Sequence, residues 1–92
     1  MLRGDWQMVR RYGEPITVLT HDGQPTAFNW RGITYQVRVI GTWRLSTRWW
    51  ETMALVDRTY FRVQTTDQHQ QVFELYCETA PNERWVLDVC QD

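Results

Sequence analysis

Tryptophan and arginine crowd the middle of this chain of 92 residues, which holds six tryptophans and ten cationic side chains, all of them arginine. Between Asp22 and Glu51 there is no acidic residue, and the arginines there are interleaved with aromatic side chains. A guanidinium stacks on an indole face and keeps donors for a phosphate or carboxylate. Both residue types are enriched at interaction hot spots. The pattern predicts a binding surface whose candidate residues are Arg38, Trp43, Arg44, Arg48, Trp49 and Trp50.

The alternative interpretation of the tryptophans is structural. About four indoles already fill the core of a domain of this size. We therefore expect Trp30 and Trp85 to be buried, and at least one of Trp43, Trp49 and Trp50 to be exposed. The net charge of −1 does not by itself identify a partner. A near-neutral sum can still hide a basic aromatic middle and an acidic C-terminal third.

Residue types that could support catalysis or metal binding are present but not clustered. His21 and His69 lie far apart and lack the spacing of metal ligands. The only serine, Ser46, has no nucleophile-elbow motif around it, and the glycines are scattered singly rather than grouped in a phosphate loop. Glu74 and Asp88 could act as a catalytic carboxylate pair, but a charge row on a solvated sheet face is the more common arrangement. The sequence predicts no enzyme, no cofactor and no metal.

Apolar and polar residues alternate with period two along most of the chain, which predicts strands. The strongest hairpin signal is Asp22-Gly23, which supplies the positive φ that a tight turn needs. Pairing Val18 with Phe28 and Ile16 with Trp30 puts all four side chains on one face. A second tight turn at Arg31-Gly32 leads into a strand whose inward residues are Ile33, Tyr35, Val37 and Val39.

The three C-terminal strands can be registered from their apolar residues alone, because opposite residues of an antiparallel pair share a face. The register that buries the apolar set pairs Phe61 with Leu75, Val63 with Phe73, Leu75 with Leu87, and Cys77 with Trp85. The other face then carries a row of Arg62, Glu74 and Asp88. In this register Cys77 lies inside and Cys90 outside, so we expect both to stay reduced.

The segment near residues 46–56 departs from the strand pattern. Trp49, Met53 and Val56 have helical spacing, and Ser46 or Thr47 could cap a short helix. The sequence therefore predicts a mainly β fold of five to six antiparallel strands, closed into a small barrel or strongly bent sheet. One short helix or ordered loop near 46–56 interrupts it.

The chain organisation predicted from the sequence is simple. Residues 1–10 form an N-terminal tail or edge segment, and residues 11–92 form a single small β domain. Neither an apolar run of membrane length nor a signal-peptide pattern is present, so we expect no membrane contact and a cytoplasmic location.

Several blocks of the chain resemble a small bacterial domain family without an assigned function. The blocks are Arg11-Tyr12-Gly13-Glu14-Pro15-Ile16, Phe28-Asn29-Trp30-Arg31-Gly32-Ile33-Thr34-Tyr35, Trp43-Arg44 with Arg48-Trp49-Trp50, Tyr60-Phe61-Arg62-Val63, Phe73-Glu74-Leu75-Tyr76 and Trp85-Val86-Leu87. The chain also resembles short β modules that are appended at the C-terminus of ImuB-type inactive relatives of Y-family DNA polymerases. That resemblance, strongest in the Trp-Trp block and the closing strands, implies a role in DNA damage tolerance.

Two functions remain open from the sequence. The first is an accessory module whose arginine and tryptophan patch docks a protein partner of the replication or repair machinery. The second is a single-stranded nucleic-acid-binding domain, in which arginines meet phosphates and indoles stack on bases. The sequence identifies no carboxylate opposite Arg44, whereas Arg62 faces two, so we expect truncation of Arg62 to cost more stability. The near-neutral charge and the absence of lysine favour the protein partner, since nucleic-acid domains usually carry net positive charge.

Overall fold

A computed structural model of the protein describes residues 9–49, 54–78 and 83–91. These residues form one antiparallel sheet of seven strands without a helix. The strands are β1 (Val9–Pro15), β2 (Thr17–His21), β3 (Gln24–Trp30), β4 (Ile33–Trp49), β5 (Ala54–Thr65), β6 (Val72–Glu78) and β7 (Arg84–Gln91). Their order in the sheet is β1-β7-β6-β5-β4-β3-β2. Strands β2 to β7 therefore form a meander, and β1 returns to pair with β7.

The sheet bends into a half-barrel because β1 and β2 are adjacent in the chain but lie at its opposite edges. Only Ile16 separates them, and its backbone N–H donates to the Trp85 carbonyl at 3.1 Å. The bend also brings Phe28 of β3 against Phe73 of β6, with ring centroids 5.1 Å apart. The predicted bent all-β sheet is confirmed, with seven strands in place of five to six.

Two tight turns direct the chain as the sequence predicts. Asp22 and Gly23 have φ values of 52° and 78°, and Arg31 and Gly32 have 53° and 80°. Two consecutive positive φ values define the turn that matches the right-handed twist of a hairpin. The first turn places Val18 opposite Phe28, as expected.

The predicted helix or loop near 46–56 is wrong for the described part of that segment. Residues 46–49 continue β4 and residues 54–56 belong to β5, with Ser46 opposite Asp57 and Trp49 opposite Ala54. Pairing between two long neighbouring strands overrides the weak helical spacing, because each added pair extends an existing ladder. Residues 50–53, including Trp50 and Met53, lie outside the described residues.

The register predicted for β5, β6 and β7 is confirmed in all four pairs. A bulge then shifts the pairing between Glu74 and Leu75, so that Glu74 lies opposite Val89 rather than Asp88. The extra residue in β7 reverses the side-chain alternation beyond it. Cys90 consequently lies opposite Phe73 and is 7% exposed, which corrects its predicted outward position.

The core lies on the inner face of the half-barrel. Its buried cluster consists of Phe28, Val37, Phe61, Val63, Phe73, Leu75, Leu87 and Cys90. Trp30 and Trp85 pack against this cluster but are only partly buried. Ile33 is 55% exposed although it was assigned to the same face. It lies directly after the β3–β4 turn, where neighbouring strands do not cover it.

Candidate binding surface

An aromatic row crosses three strands on the outer face, which is the face opposite the core cluster. Trp43 of β4 lies opposite Tyr60 of β5, and Tyr60 lies opposite Tyr76 of β6. The Trp43 and Tyr60 rings are stacked, with centroids 5.4 Å apart and planes 2° apart. Tyr60 and Tyr76 follow at 5.3 Å. Trp43 remains 40% exposed, so the row leaves part of an indole open to solvent on a rigid support.

An ion pair borders the row on one side. Arg62 lies opposite Glu74 and donates to its carboxylate through Nη2 at 2.8 Å and Nε at 3.2 Å. The same guanidinium lies 5.5 Å from the centroid of the Trp43 ring. Arg62 therefore links the charge pair to the exposed indole, a contact in which a cation is attracted by the ring quadrupole.

A charge network borders the row on the other side. Glu78 accepts from Arg58 Nε at 2.8 Å and from Arg84 Nη2 at 2.9 Å. Arg58 also lies 4.5 Å from the Tyr76 ring centroid and donates to the Tyr60 hydroxyl at 3.4 Å. Its hydrogen bond to Glu78 lowers the pKa of that carboxyl below the ordinary value. The network therefore holds both tyrosines and keeps Glu78 ionised at neutral pH.

The six residues predicted from the sequence do not all join this surface. Trp43 is its exposed centre, and Arg38 lies on the same face opposite Gln64, to which it donates at 2.9 Å. Arg44 lies on the other face, opposite Thr59. Arg48 and Trp49 are strand residues of β4. Their side chains, and all of Trp50, lie outside the described residues.

The expectation that Arg44 lacks a carboxylate partner is wrong. Arg44 forms a bidentate pair with Asp57, with Nε–Oδ1 and Nη2–Oδ2 distances of 2.9 Å each. Asp57 lies two pairs away in the β4–β5 ladder, at a diagonal position that a long arginine reaches. The pair raises the pKa of Arg44 and neutralises its charge, so a phosphate would have to compete with Asp57 for this cation.

Four residues of the surface were missed as binding residues: Arg58, Tyr60, Arg62 and Tyr76. The signal for them was present in the strand alternation, since Tyr60 and Arg62 share one face of β5 and Tyr76 shares the corresponding face of β6. Only the pairing of β4 with β5 shows that Trp43 stacks on Tyr60.

A second arginine–aromatic cluster lies near the β1 edge. Arg31 lies 4.7 Å from the ring centroid of Trp30 and 5.3 Å from that of Tyr12. Glu14 accepts from Arg31 Nη2 at 2.6 Å and from the Trp30 indole at 2.8 Å. These contacts join β1 to the β3–β4 turn. The cluster therefore stabilises the bend of the sheet.

A comparison with known families identifies the family of this chain. Residues 7–92 match a family described as Domain of unknown function (DUF6504). The chain belongs to this family. No curated protein and no solved structure matches it. The expected resemblance to an uncharacterised domain family is confirmed.

The described part of this DUF6504 domain contains neither a metal-ligand cluster nor a membrane-spanning helix. In residues 9–49, 54–78 and 83–91, no group of three or more histidine, cysteine, aspartate or glutamate residues could hold a metal ion. The same residues include no helix long and apolar enough to cross a membrane. The aromatic row offers stacking area, and its flanking arginines offer charge-assisted hydrogen bonds.

Proposed function

We propose that the domain is a non-enzymatic accessory module that docks a protein partner on the outer face around Trp43. The observation that supports this most directly is the flat stack of the exposed Trp43 ring on Tyr60. A rigid, partly exposed indole loses little side-chain entropy on binding, and tryptophan is the residue most enriched at protein hot spots. The resemblance to the ImuB-associated module supports a partner in the replication or repair machinery.

The charges around Trp43 favour a protein over a nucleic acid. Arg58, Arg62 and Arg84 each bond to a carboxylate of the same face. A phosphate would have to compete with Glu74 and Glu78, which lowers its gain from these cations. A protein surface can instead use the paired arginines and glutamates together, since polar rims with both signs are usual at interfaces.

The alternative, single-stranded nucleic-acid binding, has one observation in its favour. Arg38 lies on the same face as Trp43 and bonds to the neutral side chain of Gln64. A base stacked on Trp43 could therefore place its phosphate near Arg38, whose hydrogen bond to Gln64 leaves the guanidinium charge unneutralised. Such binding would weaken steeply with salt because it releases counterions.

Peptide selection tests the proposal directly. A random peptide library displayed on phage is panned against the wild-type domain, and each selected peptide is then measured against Trp43→Ala and Ile33→Ala. Ile33 is 55% exposed at the start of β4, away from the aromatic row, so it controls for the loss of an exposed apolar side chain. We expect Trp43→Ala to weaken selected peptides at least about tenfold and Ile33→Ala to leave them unchanged.

A labelled oligothymidylate titrated at two salt concentrations tests the alternative. The proposal predicts no Trp43-dependent binding of this strand. Salt-sensitive binding that Trp43→Ala abolishes would establish the nucleic-acid alternative instead. A selection in which no peptide is weakened by Trp43→Ala would rule out the proposed docking face.

A further inference from the structure

A cleft of about 680 Å³ opens on the inner side of the half-barrel, away from the aromatic row. Its apolar lining includes Val18 of β2, Phe61 of β5 and Trp85 of β7. Its polar lining includes Thr20 and Arg84. The cleft begins where Ile16 bonds to Trp85 and β2 turns away from β7 to pair with β3. It therefore lies in the gap between one edge strand and the rest of the sheet.

The two edges of the sheet differ in how they are protected. At the edge formed by β1, the described residues include Arg10, Arg11, Glu14 and Pro15, and the pairing shifts between Arg11 and Glu14. Charges, proline and bulges are the usual devices that prevent an edge from pairing with another chain. The β1 edge therefore discourages strand addition.

The β2 edge has little of this protection. Its five residues, Thr17–His21, include three β-branched side chains and no arginine, lysine, aspartate or glutamate. A bulge between Leu19 and Thr20 is its one irregular feature in the pairing with β3. Among the described residues β2 is a terminal strand of the sheet, so its outward backbone groups are not used by a neighbouring strand. This edge is roughly 17 Å long at the usual rise per residue.

We propose that this cleft accepts an extended strand of a partner protein, which pairs with β2 and inserts alternate apolar side chains against Phe61 and Trp85. An extended backbone is the ligand that satisfies a row of edge N–H and C=O groups. Alternate side chains of the bound strand face the cleft and the others face solvent. A strand of alternating apolar and polar residues therefore places its apolar side chains on the apolar floor. The added strand continues the sheet at β2 and fills part of the half-barrel gap.

The floor of this cleft is separate from the aromatic row. Trp43 lies on the outer face of β4, whereas Phe61, Cys77 and Trp85 line the cleft from the inner face. Arg84, which bonds to Glu78 at the border of the docking face, also reaches the rim of the cleft. The apolar floor is firmly placed, because Phe61 and Cys77 are both buried and Phe61 packs on Trp85 at 5.6 Å between ring centroids. A strand can therefore bind without rearranging the core.

Nuclear magnetic resonance on the full chain tests the proposal with a defined probe. The probe is a soluble peptide of alternating threonine and valine flanked by lysines, and its control is the same peptide with alternate backbone nitrogens methylated. We expect saturable shifts of the β2 amides and of the Trp85 indole with the first peptide. We also expect roughly tenfold slower hydrogen exchange of β2 amides. The methylated peptide should produce neither effect, since it keeps the side chains but cannot complete the ladder.

Two matched variants separate the cleft from other surfaces. Thr20→Arg places a long charged side chain in the cleft from an exposed position of β2, and should weaken the peptide at least about tenfold. Gln68→Arg adds the same charge at an exposed position between β5 and β6, and should leave binding unchanged. Trp43→Ala should also leave peptide binding at the cleft unchanged. The cleft proposal can therefore fail without contradicting the docking face around Trp43, and the reverse. Equal binding of the methylated peptide, an unaffected Thr20→Arg or no shifts at millimolar peptide would each overturn the inference.

Discussion

The Trp30 indole N–H donates to Glu14 Oε1 at 2.8 Å, which joins β1 to β3 across the bend of the sheet. In sheet order these strands are separated by β7, β6, β5 and β4. Arg31 completes the contact with two bonds to the Glu14 carboxylate, at 2.6 Å and 3.2 Å. Because the bonds connect strands that do not pair, they support the curvature rather than the ladder.

This relationship predicts a loss of stability in acid. Bonds from Arg31, and then from Trp30, lower the pKa of Glu14 in the folded protein. A carboxyl with a lowered folded pKa contributes stability above its unfolded pKa of about 4.3, and loses it as pH falls through the folded value. Hydrogen bonds from Thr65 and Arg58 likewise lower the pKa values of Asp67 and Glu78. These two carboxyls therefore add to the same loss of stability in acid. We expect the urea midpoint to be flat from pH 7 to 5 and to fall below about pH 4.5.

Glu14→Gln isolates the contribution of this carboxylate. At pH 7 the variant should have a lower urea midpoint than the wild type, and the difference should shrink as acid protonates the wild-type carboxyl. Glu83→Gln, at an exposed position, is the matched control. A difference that stays constant with pH would show that the charge of Glu14 does not stabilise the bend.

Arg58→Ala should cost more stability than Arg62→Ala. The Arg58 side chain is 30% exposed and bonds to Glu78 and Tyr60, whereas the Arg62 side chain is 45% exposed and bonds to Glu74 alone. We expect about 1–3 kcal/mol for Arg58 and up to about 1 kcal/mol for Arg62. Denaturant midpoints of the two variants decide the order. Equal losses would mean that the Glu78 network is no stronger than an exposed pair.

Gly23→Ala should destabilise the domain by about 1 kcal/mol or more although no atom crowds the new methyl group. The φ of Gly23 is +78°, a left-handed conformation that costs a non-glycine residue roughly 1–2 kcal/mol. Gly41→Ala is the matched control, because its added methyl lies at an ordinary 3.6 Å from Arg62 Cβ and its φ is not in that region. Thermal unfolding of both variants measures the difference. A similar loss at Gly41 would point to packing rather than to the turn.

Both cysteines should react slowly with a thiol reagent in the native state. Cys77 and Cys90 are each 7% exposed, and burial raises the pKa of the Cys77 thiol. A buried thiol is shielded and forms its reactive thiolate less readily. We expect each rate to be at least about tenfold below that in denaturant, as measured by mass spectrometry of the labelled peptides. Rapid native labelling of Cys90 alone would contradict the shifted register of β7.

Much of the sheet was determined by the sequence itself. Alternation of apolar and polar residues with period two marked the strands, and Asp22-Gly23 and Arg31-Gly32 marked two turns because few residues other than glycine and asparagine or aspartate favour positive φ. Burial of one apolar set allowed a single register for β5, β6 and β7, so Phe61–Leu75 and Leu75–Leu87 followed from pattern alone.

The aromatic row and the departures from the predicted pattern were decided only by tertiary structure. Trp43 stacks on Tyr60 because β4 pairs with β5 in one register after a bulge between Val39 and Gly41, and alternation does not reveal where a bulge occurs. A second bulge turned Cys90 inward in the same way. The helical spacing near 46–56 was a local preference of a few tenths of a kcal/mol per residue, which pairing along two long strands outweighs. Local chemistry thus determined the strands and turns, while cross-strand pairing determined which side chains meet.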